Sequence, residues 1–257
     1  MSVLAFGDDR SEGANTCWEL IVAHQWEGWS LEVVTAEAPA DMRPATPEAA
    51  ELHPWEPDFE HGEPRDGSVA GFDSITHLRA DVDPRVALIT KDWDLVAIGA
   101  RGSGLLKSLH LGSTADWLLR EPTSPLLIAR RPDPLTRILV AADGSPHAAG
   151  AIDTLISIPW VAGRTVRVIS VGDGKVDAVA TATAAAERLS SHGVDVETTV
   201  REGNATRTLM AEIDQWHPDL VVMGARGHSG IRRLMVGSTT ATVASGTISS
   251  ILVAHSG

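Results

Sequence analysis

The residues best suited to chemistry in this sequence lie in a glycine-rich stretch near its end. The stretch reads GARGHSGIRRLMVGSTTATV over residues 224–243, and Arg226, Arg232 and Arg233 give it positive charge. A glycine lets the backbone approach an oxyanion closely because it has no Cβ, and serine and threonine hydroxyls add hydrogen-bond donors. The stretch therefore fits a cradle for a negatively charged group. A long surface turn followed by a Ser-Thr helix cap would have the same composition.

The elements on either side of the stretch favour the cradle. The apolar run LVVMG at 220–224 predicts a buried strand, and a helix is predicted from Ser238. Ligands of open parallel sheets bind beyond the carboxyl ends of the strands, and a helix N-terminus offers unpaired amides and partial positive charge to a phosphate. The stretch is not a P-loop, because it lacks G-x4-G-K-[ST], and it does not follow the first strand as a dinucleotide fingerprint would.

The glycine-rich stretch occurs twice in the chain. Residues 99–114 and 224–239 align without gaps, and 8 of the 16 positions are identical. Each half also opens on a short apolar strand that ends in aspartate, LAFGDD in the first and ILVAADGS in the second. A repeat of this length indicates a tandem duplication. We expect domains at 1–131 and 137–257, joined by a linker at 132–136.

Strands and helices alternate through the second half. A helix is predicted from Pro146 to about Ile158, an alanine-rich helix over about 175–192, and a third helix from a cap at Asn204 to Trp216. Most of the strands between them are uniformly apolar, which favours a parallel sheet that is buried on both faces. The fold class is therefore α/β, with two tandem Rossmann-like, doubly wound domains.

The first half departs from this order in an acidic insertion at residues 37–66. The insertion holds six prolines, nine carboxylates and two arginines, and it stands where the second half has its alanine-rich helix. Prolines at this density exclude a long helix. We expect an irregular surface loop, with a lid or a partner-docking element as the alternative.

Composition narrows the function classes. The 257 residues carry a net charge of −13, which disfavours nucleic acid as a partner. The single cysteine, Cys17, is expected to be buried in a helix and excludes an intrachain disulfide, and no apolar run is long enough to span a bilayer. The short apolar N-terminus lacks the basic residues of a signal peptide. We predict a cytoplasmic protein with no membrane partner, and no metal site because histidines such as His147 and His217 lack ligand spacing.

The glycine spacing, the strand before it and the Asp-Gly-Ser turn at 143–145 resemble the universal stress proteins, specifically the tandem type of the ATP-binding branch. The resemblance covers nearly the whole chain except residues 37–72. It implies a five-stranded sheet of order 3-2-1-4-5 in each half, with the fifth strands paired so that the halves form an intramolecular pseudo-dimer. A homodimer of the chain is a further expectation. The implied ligand is ATP, with or without Mg²⁺, whose triphosphate lies along the glycine-rich stretch.

The resemblance assigns site residues in both halves. Asp143 matches the aspartate near the base and ribose, and Val171 matches the position whose backbone meets adenine. The phosphate positions of the second half are Met223, Gly224, Gly227, His228, Gly237, Ser238 and Thr239. The equivalent residues of the first half are Asp9, Ala36, Gly99, Gly102, Ser103, Gly112, Ser113 and Thr114. The turn there reads GDDRSEG, so Asp8 and Asp9 are both candidates for the aspartate.

Three functions follow from such a site. The first is a stress-response regulatory protein that senses adenine nucleotide and acts through conformation or through a protein partner that the sequence does not name. The second is a slow ATPase or an ATP-dependent transferase, and the third is a scaffold that binds no nucleotide. Phosphoryl transfer needs a positioned base and usually a metal clamp, and the sequence has neither a Walker lysine nor an acidic pair beside the stretch. We therefore expect binding rather than turnover, and we predict no catalytic residue.

Overall fold

The computed structural model describes residues 1–37, 57–65, 71–101, 111–121, 123–172, 174, 177–227 and 236–254. Within these ranges the strands are β1 Ser2–Gly7, β2 Trp29–Ala36, β3 Glu60–His61, β4 Ser74–Ala80, β5 Leu95–Gly99, β6 Leu126–Ala129, β7 Arg137–Ala141, β8 Thr165–Gly172, β9 Asp195–Glu202, β10 Leu220–Gly224 and β11 Ser250–Ala254. The α-helices are α1 Glu12–Val22, α2 Pro84–Ala87, α3 Ser113–Arg120, α4 Pro146–Ser157, α5 Ala178–Ser190, α6 Ala205–Trp216 and α7 Ser238–Gly246.

All the strands belong to one sheet, in the order β3-β4-β2-β1-β5-β6-β11-β10-β7-β8-β9. Within each half five strands are parallel and follow the predicted order 3-2-1-4-5, as β4-β2-β1-β5-β6 and as β9-β8-β7-β10-β11. The fifth strands β6 and β11 pair antiparallel, with Leu127 opposite Leu252. The α/β class and the intramolecular pseudo-dimer are therefore confirmed. The division into domains at 1–131 and 137–257 stays a prediction.

Helices cover both faces of the sheet. One buried cluster joins the sheet to α1, α4 and α5, and a second cluster on the opposite face joins it to α2, α3, α6 and α7. The central strands β6, β10 and β11 are buried throughout, as uniformly apolar strands predict. The outer strands β4 and β9 are the exception, because most of their residues are exposed or half-buried.

Side-chain caps set where the helices begin. Asn204 Oδ1 accepts a hydrogen bond from Arg207 N at 3.0 Å, which confirms the predicted cap of α6. The alanine-rich helix α5 begins at Ala178 rather than near residue 175 because Asp177 Oδ1 accepts from Val179 N at 3.1 Å and Ala180 N at 3.0 Å. A capping residue lies outside the helix and stops its extension toward the N-terminus.

The two halves also meet through aromatic side chains on the face of the sheet that α1, α4 and α5 cover. Trp26 and Trp160 occupy equivalent places after α1 and α4, and their rings pack edge to face with centroids 5.8 Å apart. The His24 ring lies 4.2 Å from the Trp160 ring. The Trp29 indole donates across the same interface to Ser157 O at 3.2 Å. The two equivalent tryptophans thus pack directly against each other where the halves meet.

The expected loop at 37–66 lies largely outside the described residues. Its described part, 57–65, contains the short strand β3, which pairs antiparallel with the carboxyl end of β4. Gly62 N donates to His77 O at 2.9 Å. Phe59 packs against the cluster on one face of the sheet, and Arg65 lies over the Phe6 and Trp18 rings of the other cluster. This segment therefore passes round the edge of the sheet.

Candidate functional site

The turn after β7 carries Asp143 at the carboxyl edge of the sheet. Asp143 Oδ1 accepts from Ser145 N at 2.9 Å, and between them Gly144 has a φ of 78°. Ser145 Oγ accepts from Ala148 N at 3.2 Å, which caps α4, and donates to Arg226 O at 3.3 Å. One serine thus fixes the start of α4 and the beginning of the glycine-rich stretch. This arrangement leaves Asp143 half-buried between them.

The first glycines of the stretch pack closely against this turn. A Cβ on Gly224 would lie 2.6 Å from Ala148 N, so glycine there lets β10 approach the start of α4. A Cβ on Gly227 would lie 2.6 Å from Asp143 Oδ2. The structure therefore brings Asp143, Gly224 and Gly227 together. Met223 is buried within β10 at the same edge.

Gly237 begins the helix at the other end of the stretch. Its backbone has a φ of −63° and a ψ of 146°, and its N–H donates to Ala225 O at 2.8 Å. A Cβ here would meet its nearest atom, Ala225 O, at 3.4 Å, so neither the backbone conformation nor the packing requires glycine. Gly237 has no side chain to cap α7. The amides of the first turn are therefore presented to the edge where Asp143 lies.

The two hydroxyl residues after Gly237 differ in their surroundings. Ser238 is exposed, whereas the Thr239 hydroxyl lies 2.7 Å from the Thr206 hydroxyl at the start of α6. Thr240, which the sequence interpretation did not include, donates its hydroxyl to Gly224 O at 2.9 Å. Thr240 thereby fixes the first turn of α7 against the end of β10. Its burial, which decides this role, is visible only in the structure.

Val171 and Ala36 hold equivalent places at the carboxyl ends of β8 and β2. Val171 lies opposite Arg201 of β9, and Ala36 lies opposite Ala80 of β4. Both strands neighbour the strand that leads to the aspartate turn. The predicted base position and the predicted phosphate positions therefore share one edge of the sheet in each half.

The first half repeats the bonds of the second at equivalent residues. Asp9 Oδ1 accepts from Ser11 N at 3.0 Å, and Ser11 Oγ accepts from Ala14 N at 3.1 Å and donates to Arg101 O at 3.5 Å. Asp9 is thus the counterpart of Asp143. Asp8 N donates to Val34 O as Ala142 N donates to Ile169 O, both at 2.9 Å, so Asp8 is the counterpart of Ala142. Asp9, rather than Asp8, is therefore the structural counterpart of Asp143.

Gly99 and Gly112 of the first half occupy the same structural positions as Gly224 and Gly237 of the second half. A Cβ on Gly99 would lie 2.3 Å from the carbonyl carbon of Gly13 in α1, which is a packing requirement like that of Gly224. Gly112 precedes α3 with a φ of −65° and a ψ of 162°, and its N–H donates to Ala100 O at 2.8 Å. Ser113 is exposed and Thr114 half-buried in the first turn of α3. Asp116 in the same turn adds a carboxylate, held by Arg120 at 2.9 Å, that the second half lacks.

Three predicted site residues, Gly102, Ser103 and His228, lie outside the described residues. The same holds for Arg232 and Arg233. Among the residues that are described, no group of three or more His, Cys, Asp or Glu side chains is placed to hold a metal ion. A search of that same part of the chain finds no helix both long and apolar enough to cross a membrane.

Sequence reasoning missed a charged cluster beside the first-half turn. The Asp8 side chain is fully buried and forms ion pairs with Arg10, at 3.1 Å, and with Arg65. Burial lowers the pKa of the nearby His77, and the positive charges of Arg10 and His61 lower it further. The sequence signal for this cluster was Asp8, a carboxylate at the end of an apolar strand where the second half has Ala142.

Comparisons with known proteins agree with this fold and repeat. Residues 172–255 match the model of the universal stress protein family. Universal stress protein Slr1230 of Synechocystis is 30% identical over 156 residues, covering 59% of this chain and 54% of the relative. Universal stress protein Rv2623 of Mycobacterium tuberculosis is 28% identical over 196 residues, covering 67% and 65%. The matches thus span about half to two thirds of these relatives' own length.

Solved structures show the same fold across both halves. The crystal structure of a universal stress protein from Archaeoglobus fulgidus has a TM-score of 0.66 at 18% identity, over 99% of this chain and 98% of that one. A putative universal stress protein from Pseudomonas aeruginosa has a TM-score of 0.59 at 20% identity, over 99% and 92%. The chain is therefore similar to universal stress proteins in sequence over residues 172–255 and in fold over nearly its whole length.

Proposed function

We propose that the second half binds ATP, with adenine at Val171, ribose at Asp143 and phosphates along the glycine-rich stretch to the first turn of α7. One observation carries the proposal. Gly237 is a glycine that neither its backbone conformation nor its packing requires, at a helix N-terminus on the same edge of the sheet as the Asp143 turn. A bound phosphate that approaches the backbone there accounts for the absence of a side chain.

The energetics are adequate for a cellular nucleotide. Hydrogen bonds from amides and hydroxyls to a charged phosphate contribute roughly 1.5–3 kcal/mol each. Ser238, Thr239 and the first-turn amides of α7 offer several such donors, and Arg226 adds a positive charge at the start of the stretch. A micromolar complex needs about 8 kcal/mol, so three or four of these bonds reach it before the cost of ordering the ligand.

The finer expectations form part of the same proposal. The nucleotide acts as a signal rather than as a substrate, its occupancy is read by a protein partner, and Mg²⁺ accompanies the triphosphate when present. The equivalent residues of the first half form a second nucleotide site. We also retain the proposed domains at 1–131 and 137–257, a cytoplasmic location, and a homodimer as the assembly.

The direct test is a pair of substitutions at Gly237. Aspartate is a favoured N-cap residue in the extended conformation that Gly237 already has, so Gly237→Asp should keep or slightly increase stability. Its carboxylate stands where the phosphate belongs, so we expect the affinity for ATP in calorimetry to fall at least about tenfold. Gly237→Ala, with a Cβ that clears its neighbours, is the matched control for the fold.

Two further measurements complete the test. Gly112→Asp makes the same change in the first half, so the two variants assign each binding event to one half. Mass analysis of nucleotide released from the denatured wild-type protein identifies the ligand. Unaltered ATP affinity in both aspartate variants would place the phosphate elsewhere. Phosphate release well above background that Asp143→Ala abolishes would establish turnover instead of signalling.

A further inference from the structure

The turn that carries Asp9 has a non-glycine residue in the left-handed backbone conformation, whereas its counterpart has glycine there. Between Asp143 and Ser145 stands Gly144, with a φ of 78°, whereas between Asp9 and Ser11 stands Arg10, with a φ of 59°. Glycine adopts this left-handed conformation freely, but in any other residue the Cβ crowds the backbone. The first-half turn therefore needs support from outside itself.

Asp8 supplies that support. Its Oδ1 accepts from Arg10 N at 3.0 Å, and its Oδ2 lies 3.1 Å from Arg10 Nε. Both the backbone and the side chain of the strained residue are thus held by one carboxylate. The second half has Ala142 at this place, where glycine makes such support unnecessary.

Asp8 in turn depends on Arg65. The residue is 2% exposed, and a buried carboxylate is costly unless it is paired. The Arg65 guanidinium donates to Asp8 Oδ1 and to Asn15 Oδ1, and its side chain is 8% exposed. It lies over the rings of Phe6 and Trp18, with centroid distances of 5.5 and 5.2 Å.

The segment that delivers Arg65 is attached to the sheet next to the same turn. Strand β3 pairs with β4, Gly62 N donates to His77 O at 2.9 Å, and Arg10 Nη2 donates to Glu63 O at 3.4 Å. The polar residues that meet the segment, Asp8, Arg10 and Asn15, correspond to Ala142, Gly144 and Ala149 in the second half. The contacts are therefore specific to the first half.

We propose that Arg65 is a positioning residue for the first-half nucleotide site, because it acts through Asp8 to hold the turn that presents Asp9. This inference rests on the proposed function, since the turn it holds is the one assigned to the nucleotide. It gives the acidic insertion a role that the helix α5 does not have in the second half. It also predicts that residues 65 and 10 are energetically coupled.

The first experiment measures the turn without any nucleotide. Hydrogen exchange followed by mass spectrometry compares the peptide at 8–16 with its counterpart at 142–150. We expect Arg65→Ala to speed exchange about tenfold in the first peptide and to leave the second unchanged. Arg79→Ala, which removes an exposed ion pair with Asp81 in the same half, is the control.

The second experiment tests the coupling. In an Asp8→Ala, Arg10→Gly background, which copies Ala142 and Gly144 of the second half, the turn no longer needs support and no buried carboxylate is left unpaired. There we expect Arg65→Ala to have a much smaller effect on exchange at 8–16. Arg65→Lys, which retains the charge, should restore part of the protection. An equal rise of exchange in both peptides, or an Arg65→Ala effect that is the same in the wild-type protein and in the Asp8→Ala, Arg10→Gly background, would overturn the proposal.

Calorimetry with ATP supplies the functional readout. We expect Arg65→Ala to weaken binding about tenfold in the Gly237→Asp background, where only the first site is left, and to change nothing in the Gly112→Asp background. Equal weakening in both backgrounds would contradict a positioning role. If wild-type protein binds no ATP, the proposed function fails, and the exchange measurements still decide whether Arg65 holds the turn.

Discussion

Individual glycines in the two stretches have different structural roles, and the sequence alone does not distinguish these roles. Gly99 and Gly224 allow helices α1 and α4 to approach the sheet, because a Cβ at either place would lie within 2.6 Å of backbone atoms. Gly237 satisfies no such requirement, and the proposed ATP site supplies a reason for it. The repeated motif thus combines glycines that the packing of the fold requires with glycines that it does not require.

This distinction predicts opposite effects of alanine within one stretch. Gly224→Ala forces the backbone of α4 away from β10, so we expect it to lower the free energy of unfolding by about 1–3 kcal/mol. Gly237→Ala should change stability by less than about 0.5 kcal/mol. Chemical denaturation of both variants checks the comparison, and a stable Gly224→Ala protein would show that the contact relaxes easily.

At the scale of elements, alternation and repetition predicted most of the architecture. The apolar strands, the helix from Ser238 and the cap at Asn204 were visible because each depends on local chemistry. Strand β3 and the buried Arg65 were not predicted, because an acidic, proline-rich segment gives no periodic pattern. The partners of Arg65, Asp8 and Asn15, are also 57 and 50 residues away in the sequence. The site residues were assigned from the family resemblance and stay a prediction, whereas the roles of Thr240 and Asp8 required the packing to be seen.

The cap of α5 is a separate element-scale prediction. This helix has no described counterpart in the first half, and it begins where Asp177 accepts from two backbone amides. We expect Asp177→Ala to cost about 1 kcal/mol of stability. Denaturation curves measure the loss, with Asp195→Ala, an exposed carboxylate at the start of β9, as the control. Equal effects would indicate a change in surface charge rather than a lost cap.

On the scale of the whole molecule, the halves are joined by more than the β6–β11 pairing. Arg130, which follows β6, donates from its backbone to Ser250 Oγ at 3.2 Å and from its side chain to Ala244 O in α7. Burial, with the charge of Arg101 in addition, lowers the pKa of Arg130 to about 10. On the other face, His24 Nδ1 donates to Leu20 O at 2.8 Å and Nε2 accepts from Leu135 N at 3.0 Å, so the ring must be neutral.

His24 predicts how this junction responds to acid. Burial lowers its pKa below 6.5, and the positive charge of Arg164 does so further, although the hydrogen bond to Leu20 opposes the shift. The neutral ring therefore stabilises the fold fully above about pH 6.5, and that stability declines as pH falls toward the lower folded-state pKa. Protonation would also set an N–H against the Leu135 N–H.

The measurement is the free energy of unfolding at pH 7.5 and at pH 5. We expect the decrease between these values to be smaller in His24→Gln, which cannot gain a proton, than in the wild-type protein. The exposed His192→Gln serves as the control and should retain the full decrease. A decrease of the same size in all three proteins would assign the acid sensitivity to other groups.

The antiparallel pairing of β6 with β11 has a consequence for how such a molecule can change. In a homodimer built from identical subunits, every substitution is made in both subunits, so a charge that suits one site is imposed on the other. Here both partners lie on one chain, and a substitution is made once. Asp8, Arg10 and Arg65 can therefore be present on one side while Ala142 and Gly144 remain on the other. Because the two halves are covalently linked, their pairing does not depend on protein concentration, and the asymmetry between them does not weaken it.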